Sequence, residues 1–195
     1  SIREFAQSIR IAFTQMQLSK FKSDLSLSHK MLRLVWGFCW LVLFRPSPRV
    51  CHGWRRFLLR MFGAKIGKGV RIYNSAIVYY PPNLALGDHA VIAPHVDIYC
   101  VAPIAISEHV MVSQYSYLCA ASHDYTKSHL PLIASPIFVG PRSWICARAF
   151  IGPGVTIGSN ALVAACAVVI KGVEDGQIVG GNPARFIKTR PLATE

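Results

Sequence analysis

Acidic residues are scarce in this 195-residue sequence, and they are distributed unevenly. The chain holds 21 Lys and Arg against 9 Asp and Glu, which gives a formal net charge of +12. Residues 1–71 contain 14 of the basic residues but only Glu4 and Asp24 as acids, whereas residues 72–195 contain seven of each sign. The N-terminal third is therefore expected to be a separate structural unit that prefers an anionic surface.

Cysteine pairs with metal-ligand spacing are also absent. The six cysteines form no CxxC pair and stand far apart, at positions 39, 51, 100, 119, 146 and 166. This distribution excludes a metal framework and a dense disulfide scaffold. We interpret the six as reduced, small core residues of a cytoplasmic protein. With 52% apolar residues, the chain is long enough for one substantial core and a small appendage.

The apolar stretch in the N-terminal third is too short to cross a bilayer. It covers residues 31–44, MLRLVWGFCWLVLF, which is 14 residues, whereas a spanning helix needs about 20. The stretch begins as late as residue 31 and is followed by RPSPR, which is unlike a signal peptide. The sequence therefore predicts neither a membrane span nor secretion.

Two interpretations of this basic, apolar segment remain open. One is a helix in the membrane interface with its flanking basic residues at anionic head groups, which would give peripheral contact through residues 1–62. The other is a helix packed on the main domain or on a neighbouring subunit. Residues 2–22 are predicted to form an amphipathic helix. Because the aromatic residues are not interleaved with Lys and Arg, no nucleic-acid partner is expected.

From Ile66 onward, aliphatic residues recur every six positions. An aliphatic residue opens each of 15 blocks, such as IGKGVR, ICARAF and IGPGVT, and the fifth position is usually Val, Ala or Ser. Neither an amphipathic helix nor an ordinary strand repeats at six. The period is typical of an all-β fold, a parallel β-helix whose coils have three sides and bury their aliphatic residues against one another. We expect small residues at its corners.

This repeat divides the chain and is interrupted once. The prediction is a helical extension over 1–62, a β-helix over 63–183 and a short C-terminal tail over 184–195. The stretch CAASHDYTKSHLPLIASP, residues 119–136, breaks the period. Residues 124–136 put Lys, Ser and Pro where inward aliphatic residues should stand, so we expect a loop that leaves the β-helix. Long excursions from a regular scaffold are more often functional than decorative.

Several segments carry a resemblance to a known family. The hexapeptide blocks and the NPA ending at 182–184 resemble hexapeptide-repeat acyltransferases. More closely, DIYCVAPIAI, CAASHDYTKSHLPLI and GNPARFIKTR are similar to the colanic acid biosynthesis acetyltransferase subgroup. The resemblance implies a left-handed β-helix and a homotrimer with active sites between subunits. It also implies acetyl-CoA as the acetyl donor, with no metal.

The interruption supplies candidates for the chemistry on the acceptor. Acetyl transfer to a hydroxyl needs a base, and histidine suits this task because its pKa lies near neutrality. The family has its catalytic base at the position of His123, directly before such a loop. Asp124 and Asp97 are candidates for orienting His123 or for holding a sugar hydroxyl. Tyr99 and Tyr125 are candidates for stacking on a sugar ring.

The C-terminal blocks supply candidates for binding the acetyl donor, and these follow from the resemblance. It implies that the Ala147 amide holds the oxyanion and that Ala165, Lys171 and Arg185 lie beside acetyl-CoA. Trp144 is a candidate for the wall of the pantetheine channel. The chain departs from the usual pattern with a group of less common residues in this region, namely Cys146, Arg148 and Ile170.

We therefore expect an acetyl-CoA-dependent O-acetyltransferase that acts directly on a sugar hydroxyl in bacterial exopolysaccharide biosynthesis. The acceptor could be linked to a membrane lipid, which the basic extension would suit. One alternative is a non-catalytic trimeric scaffold at the membrane surface. Another is a zinc-dependent hydratase resembling carbonic anhydrase, with His89, His123 and His129 as ligands. His89, His95 and His109 occupy outward fourth positions and are expected to be ordinary surface residues.

Overall fold

The computed structural model describes residues 26–191, so the helix predicted over residues 2–22 lies outside the described residues. Helix α1 (Leu27–Cys39) begins after Ser26, whose hydroxyl accepts a hydrogen bond from the His29 amide at 3.2 Å. It continues as a π-helical turn, Trp40–Phe44. A second helix, α2 (His52–Met61), leads into the first strand.

The helical segment is longer than the apolar run in the sequence indicates. Residues Leu27–Phe44 form 18 residues that are long and apolar enough to cross a membrane, by length and composition alone. One side of this segment is buried against the rest of the protein through Trp36, Cys39 and Phe44. The segment therefore packs on the main domain, which was one of the two open interpretations, while its other side faces outward.

Short strands make up the rest of the described chain. In chain order they are β1 (Lys65–Ile66), β2 (Arg71–Ile72), β3 (Ile77–Val78), β4 (Leu84–Leu86), β5 (Val91–Ile92), β6 (Asp97–Tyr99), β7 (Ile104–Ile106), β8 (Met111–Val112), β9 (Tyr117–Cys119), β10 (Ala121–His123), β11 (Leu132–Ala134), β12 (Ile137–Val139), β13 (Trp144–Ile145), β14 (Phe150–Ile151), β15 (Thr156–Ile157), β16 (Leu162–Val163), β17 (Val168–Val169), β18 (Gln177–Gly180) and β19 (Arg185–Thr189). A 3-10 turn at Pro81–Asn83 precedes β4.

The strands stack into the three sides of a β-helix. One side has the order β1-β4-β7-β12-β15, the second β2-β5-β8-β13-β16-β18, and the third β3-β6-β9-β14-β17, and all of these pairs are parallel. The residue that opens each of the 15 blocks is at most 9% exposed, so the six-residue period marks the core. The predicted parallel β-helix is confirmed.

The corners differ from the expectation of small residues. At eight corners a residue other than glycine adopts a φ between 56° and 61°, namely His89, His95, His109, Tyr115, Arg142, Arg148, Asn160 and Cys166. Side chains on successive coils stack there: the ring centroids of His89 and His109 are 5.1 Å apart, and those of His95 and Tyr115 are 4.8 Å apart. This stacking helps to offset the strain of left-handed backbone. The histidines do face outward, as predicted.

The N-terminal helices close the first coil of the β-helix. The coil's outer edge leaves backbone carbonyls without a strand partner, and side chains of α1 and α2 donate to them. The Trp36 indole donates to the Val78 carbonyl at 2.7 Å. The Arg56 guanidinium donates to the Val70 carbonyl at 2.8 Å, and Arg60 donates to Ile66 at 2.6 Å. Because unpaired edge groups are costly when buried, the basic extension acts as a cap on the sheet edges.

Arg55 is the central residue of this cap. Its side chain is completely buried, and its Nε donates to the Ile72 carbonyl at 2.6 Å. Its other nitrogens donate to the Ser47 hydroxyl and to the Pro48 and Arg49 carbonyls at 2.7–2.9 Å. Burial lowers the pKa of Arg55 from its ordinary value. Part of the positive charge in the N-terminal third is therefore used inside the protein.

Candidate active site

The interruption in the repeat is a β-hairpin. Strands β10 and β11 pair antiparallel, with Ala121 opposite Ala134 and His123 opposite Leu132. The Asp124 amide donates to the Pro131 carbonyl at 3.0 Å, which closes the loop between the strands. The excursion thus begins at Ala121, before the predicted start at residue 124, because cross-strand pairing cannot be seen in a single sequence.

His123 is the last residue of β10 and lies exposed on this hairpin. Its Nδ1 is 2.8 Å from the Leu130 carbonyl oxygen. A carbonyl only accepts hydrogen bonds, so Nδ1 carries the proton and donates it to this bond. In the neutral imidazole the lone pair is then on Nε2, which is the arrangement that a general base requires.

Asp124 is held by the hairpin turn. Its Oδ1 accepts hydrogen bonds from the Thr126 hydroxyl at 2.6 Å and from the Thr126 amide at 3.0 Å. Its Oδ2 lies 3.5 Å from the Lys127 ammonium. The hydrogen bonds from Thr126 are the main reason why the pKa of Asp124 is lowered. His123 also has a contact in this hairpin that the sequence did not predict, the one with the Leu130 carbonyl.

A half-buried face of tyrosines and one carboxylate lies on the third side of the β-helix. Asp97 of β6 stands in register with Tyr117 of β9, and the ring centroids of Tyr99 and Tyr117 are 6.3 Å apart. The ring centroid of Tyr79 is 4.6 Å from that of Tyr99. Burial raises the pKa of Asp97 and is the largest cause that raises the pKa of Tyr117. The structure therefore brings the predicted residues Asp97 and Tyr99 together.

Tyr125 and Tyr117 lie in different surroundings. Tyr125 lies in the hairpin turn and is 88% exposed, so within one chain it presents its ring to solvent. Tyr117 was missed by sequence reasoning, although it follows Asp97 by one complete coil. This offset could have identified Tyr117 from the sequence, because residues one coil apart lie side by side.

On the donor side, Ala147 and Ala165 occupy the same corner of successive coils. The Cys166 amide donates to the Ala147 carbonyl at 3.0 Å, which ties the two corners together. Within the described part of the chain, no hydrogen bond uses the Ala147 amide. The small side chains leave this backbone accessible, so the amide can donate to a bound group.

Lys171 and Arg185 line one cavity at the C-terminal end of the β-helix. The cavity has a volume of about 240 Å³, and its wall includes Ala184 and Phe186. It forms where β19 turns back and pairs antiparallel with β18. Both cations are exposed, so the end of the last coil offers an accessible positive surface for an anionic group.

Trp144 lines a different cavity, on the second side of the β-helix. This cavity of about 280 Å³ also contains His109, Arg142 and Arg190. The Trp144 indole donates to the Ser113 hydroxyl at 2.9 Å. The Arg190 guanidinium donates to the Arg142 carbonyl at 3.1 Å, although the two residues lie 48 positions apart. Sequence reasoning missed both arginines because their proximity depends on the fold.

The three departures from the family pattern have structural consequences. The Arg148 guanidinium lies over the Tyr115 ring, 5.6 Å from its centroid, so it is engaged with the preceding coil. Burial raises the pKa of the Cys146 thiol. Ile170 is an exposed apolar residue directly before Lys171. All six cysteines lie in the described range and are free thiols.

The described residues contain no group of three or more His, Cys, Asp or Glu side chains placed to hold a metal ion. His123 and His129 belong to the hairpin, whereas His89 is stacked on His109 at a corner. A zinc site of the kind considered above would therefore have to be completed by a second subunit.

Comparisons with known proteins agree on one family. The family described as bacterial transferase hexapeptide (six repeats) matches residues 136–171. WcaF of Escherichia coli K12, named as a colanic acid biosynthesis acetyltransferase, is 42% identical over 156 residues, which are 80% of this chain and 86% of the relative. The parallel β-helix and this similarity along most of the chain point to the same group of enzymes.

Solved structures agree with this result. A hexapeptide-repeat acetyltransferase from Vibrio cholerae, solved with acetyl-CoA, has a TM-score of 0.79 and 27% identity and covers 87% of this chain and 93% of its own. A galactoside acetyltransferase solved with coenzyme A has a TM-score of 0.78 at 22% identity, over 90% of this chain and 91% of its own, and supports the fold alone. The chain therefore belongs to the hexapeptide-repeat acetyltransferase family.

Proposed function

We propose that this protein transfers an acetyl group from acetyl-CoA to a sugar hydroxyl in the biosynthesis of a bacterial exopolysaccharide. The observation that carries the proposal is the hydrogen bond from His123 Nδ1 to the Leu130 carbonyl, on a hairpin that leaves an otherwise regular wall. The name of the relative WcaF supports an exopolysaccharide acceptor. The donor found with the Vibrio cholerae neighbour supports acetyl-CoA.

His123 is the general base in a direct transfer. Its Nε2 takes the proton from the acceptor hydroxyl while the hydroxyl oxygen attacks the thioester carbonyl carbon. The Ala147 amide donates a hydrogen bond to the carbonyl oxygen as negative charge develops there. The carbon–sulfur bond then breaks, and the leaving thiolate of coenzyme A receives the proton from His123. No covalent enzyme intermediate forms, and both His123 and the released coenzyme A thiol are neutral after this proton transfer.

The donor side of the protein fits acetyl-CoA by its chemistry. A corner of small residues with an available amide suits a thioester arm, and the cations Lys171 and Arg185 suit phosphate groups. Trp144 would pack against the apolar part of the donor. The acceptor side is different, because Asp97 can accept hydrogen bonds from sugar hydroxyls and Tyr99 can stack on a sugar ring.

The active enzyme is a homotrimer in this proposal, with each site between two subunits. His123 lies on the hairpin, Trp144 on the second side of the β-helix and Lys171 at the corner after β17. A neighbouring subunit can bring such separate parts into one cleft. In this proposal the enzyme is cytoplasmic and peripheral to the membrane, and its acceptor is carried on a lipid.

The experiment that tests this function compares two histidine variants of the same hairpin. His123→Ala should lower the rate of coenzyme A release with a panel of acceptor sugars by about 10² to 10⁴-fold, because the base is lost. His129→Ala is the matched control and should retain the wild-type rate. A His123→Ala enzyme that keeps its activity, or an equal loss in both variants, would contradict the role of His123.

A further inference from the structure

The outer side of the helical segment Leu27–Phe44 is a largely apolar surface. Eight large apolar residues of the helical segment Leu27–Phe44 are between 46% and 76% exposed, namely Leu27, Met31, Leu34, Val35, Phe38, Leu41, Val42 and Leu43. Soluble proteins seldom expose so many neighbouring apolar side chains unless the surface binds something. We call this surface, with its extension on α2, the outer apolar face.

The outer apolar face continues onto helix α2. The Trp54 indole donates to the Leu43 carbonyl at 3.0 Å, which joins the two helices at this point. The rings of Trp54 and Phe57 stack with centroids 5.7 Å apart, and Phe57 and Met61 are exposed. The two helices thus present one surface that includes the exposed Trp54, an amphipathic aromatic residue of the kind that favours a boundary between lipid and water.

The charged residues of the two helices that form this face, and of the segment between them, have one sign. No Asp or Glu occurs between Asp24 and Asp88. Although Arg55, Arg56 and Arg60 are used to cap backbone carbonyls, Lys30, Arg45 and Arg49 of the same stretch of chain, residues 27–61, remain exposed. An apolar face on a stretch of chain that carries exposed cations and no acid is complementary to an anionic lipid surface.

The same charges argue against a second copy of this surface as the occupant. In a two-fold contact the same residues would meet each other, which would bring cation against cation with no acid to pair them. A lipid head group supplies the missing negative charge.

The helix lies on the protein and is not placed to cross a bilayer. The Trp36 indole donates to the Val78 carbonyl at 2.7 Å and the Trp40 indole donates to the Ala76 carbonyl at 2.9 Å. A crossing helix would have to leave the β-helix and break these bonds, leaving edge carbonyls unpaired. A helix that lies flat keeps them and can sink its outer apolar face about 5–10 Å into the head-group boundary.

We propose that the outer apolar face and its exposed cations bind an anionic lipid membrane and set the first coil of the β-helix against the bilayer. This contact would bring the enzyme to any acceptor that is anchored in the same membrane. The inference does not depend on the proposed transfer reaction, and it can be tested without donor or acceptor.

The test is co-sedimentation of the full chain with vesicles made of equal parts phosphatidylglycerol and phosphatidylcholine. The double variant Leu34→Glu/Phe38→Glu should bind at least about tenfold more weakly, because two charges would enter the apolar boundary. The matched control is Phe138→Glu, which changes an exposed Phe on the β-helix itself. It should bind like the wild type.

Further measurements distinguish a lipid membrane from a second subunit as the partner of the outer apolar face. Binding should fall in high salt, and vesicles of pure phosphatidylcholine should bind more weakly. A Lys30→Gln/Arg49→Gln variant should lose about fivefold per cation. The proposal is wrong if the wild type does not sediment, if the Leu34→Glu/Phe38→Glu variant binds like wild type, or if lipid charge has no effect. If the wild type does not sediment and the Leu34→Glu/Phe38→Glu variant has a lower mass by light scattering, the outer apolar face is instead a contact between subunits. Thermal melting of each variant checks that it is folded.

Discussion

The two ends of the β-helix use basic side chains for opposite purposes. At the N-terminal end, Arg55 is completely buried and Arg56 and Arg60 donate to backbone carbonyls of the first coil. At the C-terminal end, Lys171 and Arg185 are exposed around a cavity, while the turned-back strand β19 pairs with β18 at the edge of the second side. Basic side chains therefore bind backbone carbonyls of the edge at one end and line an accessible cavity at the other.

The largest effect on stability is expected at the N-terminal end. Arg55→Met should lower the free energy of unfolding by about 3–5 kcal/mol, because several buried acceptors lose their donor at once. Urea denaturation at a fixed protein concentration measures this change. The control is Arg71→Met, an exposed arginine of the first coil, which should change stability by less than about 0.5 kcal/mol. Equal effects of the two variants would remove the distinction between capping and surface arginines.

The C-terminal end should respond in the opposite way. Lys171→Ala and Arg185→Ala should each weaken acetyl-CoA binding by about ten- to a hundredfold, because each removes a charged donor of about 1.5–3 kcal/mol from the phosphates. The free energy of unfolding should stay at its wild-type value. Calorimetric titration at two salt concentrations provides the measurement. Unchanged affinity in both variants would mean that this cavity does not hold the donor.

A smaller effect is expected from the indole caps. Trp36→Phe removes the donor to the Val78 carbonyl and keeps most of the ring, so stability should fall by about 1–2 kcal/mol. Trp54→Phe removes the exposed bond to the Leu43 carbonyl and should cost less, since water can replace it. If the two variants were equally stable, the buried edge would not depend on these side-chain donors.

The smallest effect concerns pH and again distinguishes the two ends. Burial lowers the pKa of His29 and His52 in the N-terminal cap below their ordinary value of about 6.5. The unfolded chain then binds protons more readily than the folded one, so stability should be full above pH 6.5 and should fall as the pH drops below it. His52→Gln should reduce this slope in denaturation curves between pH 7.5 and 5.5. An unchanged slope would argue against His52 as one of the groups responsible.

The six-residue repeat made the fold predictable, but contacts between residues far apart in the sequence could not be predicted from it. The period of six located inward residues such as Ile98 and Ile151, because stacking of coils demands an aliphatic residue there. It could not locate Arg55, whose acceptor in Ile72 lies 17 residues away and depends on where α2 lies. Corners such as Tyr115 and Arg148 were also unpredictable, since stacking between coils allows large residues at positive φ.

The candidate site shows the same division. His123 could be named from its place before an interruption and from the family resemblance. Its partner at Leu130 depends on the pairing of β10 with β11, which has no signature in the sequence. The cavity of Trp144 and Arg190 likewise joins residues from distant coils. Individual residues of the candidate site could therefore be predicted from the sequence, whereas the residues that they contact could not.

The most direct test of the central claim is a calorimetric titration of acetyl-CoA into the purified wild type, with His123→Ala titrated alongside. Saturable binding to both proteins, at one site per chain, is the predicted result, because His123 acts in the chemical step and the donor is held elsewhere. Absence of binding to either protein at millimolar acetyl-CoA would contradict the account and would leave the non-catalytic scaffold as the better explanation.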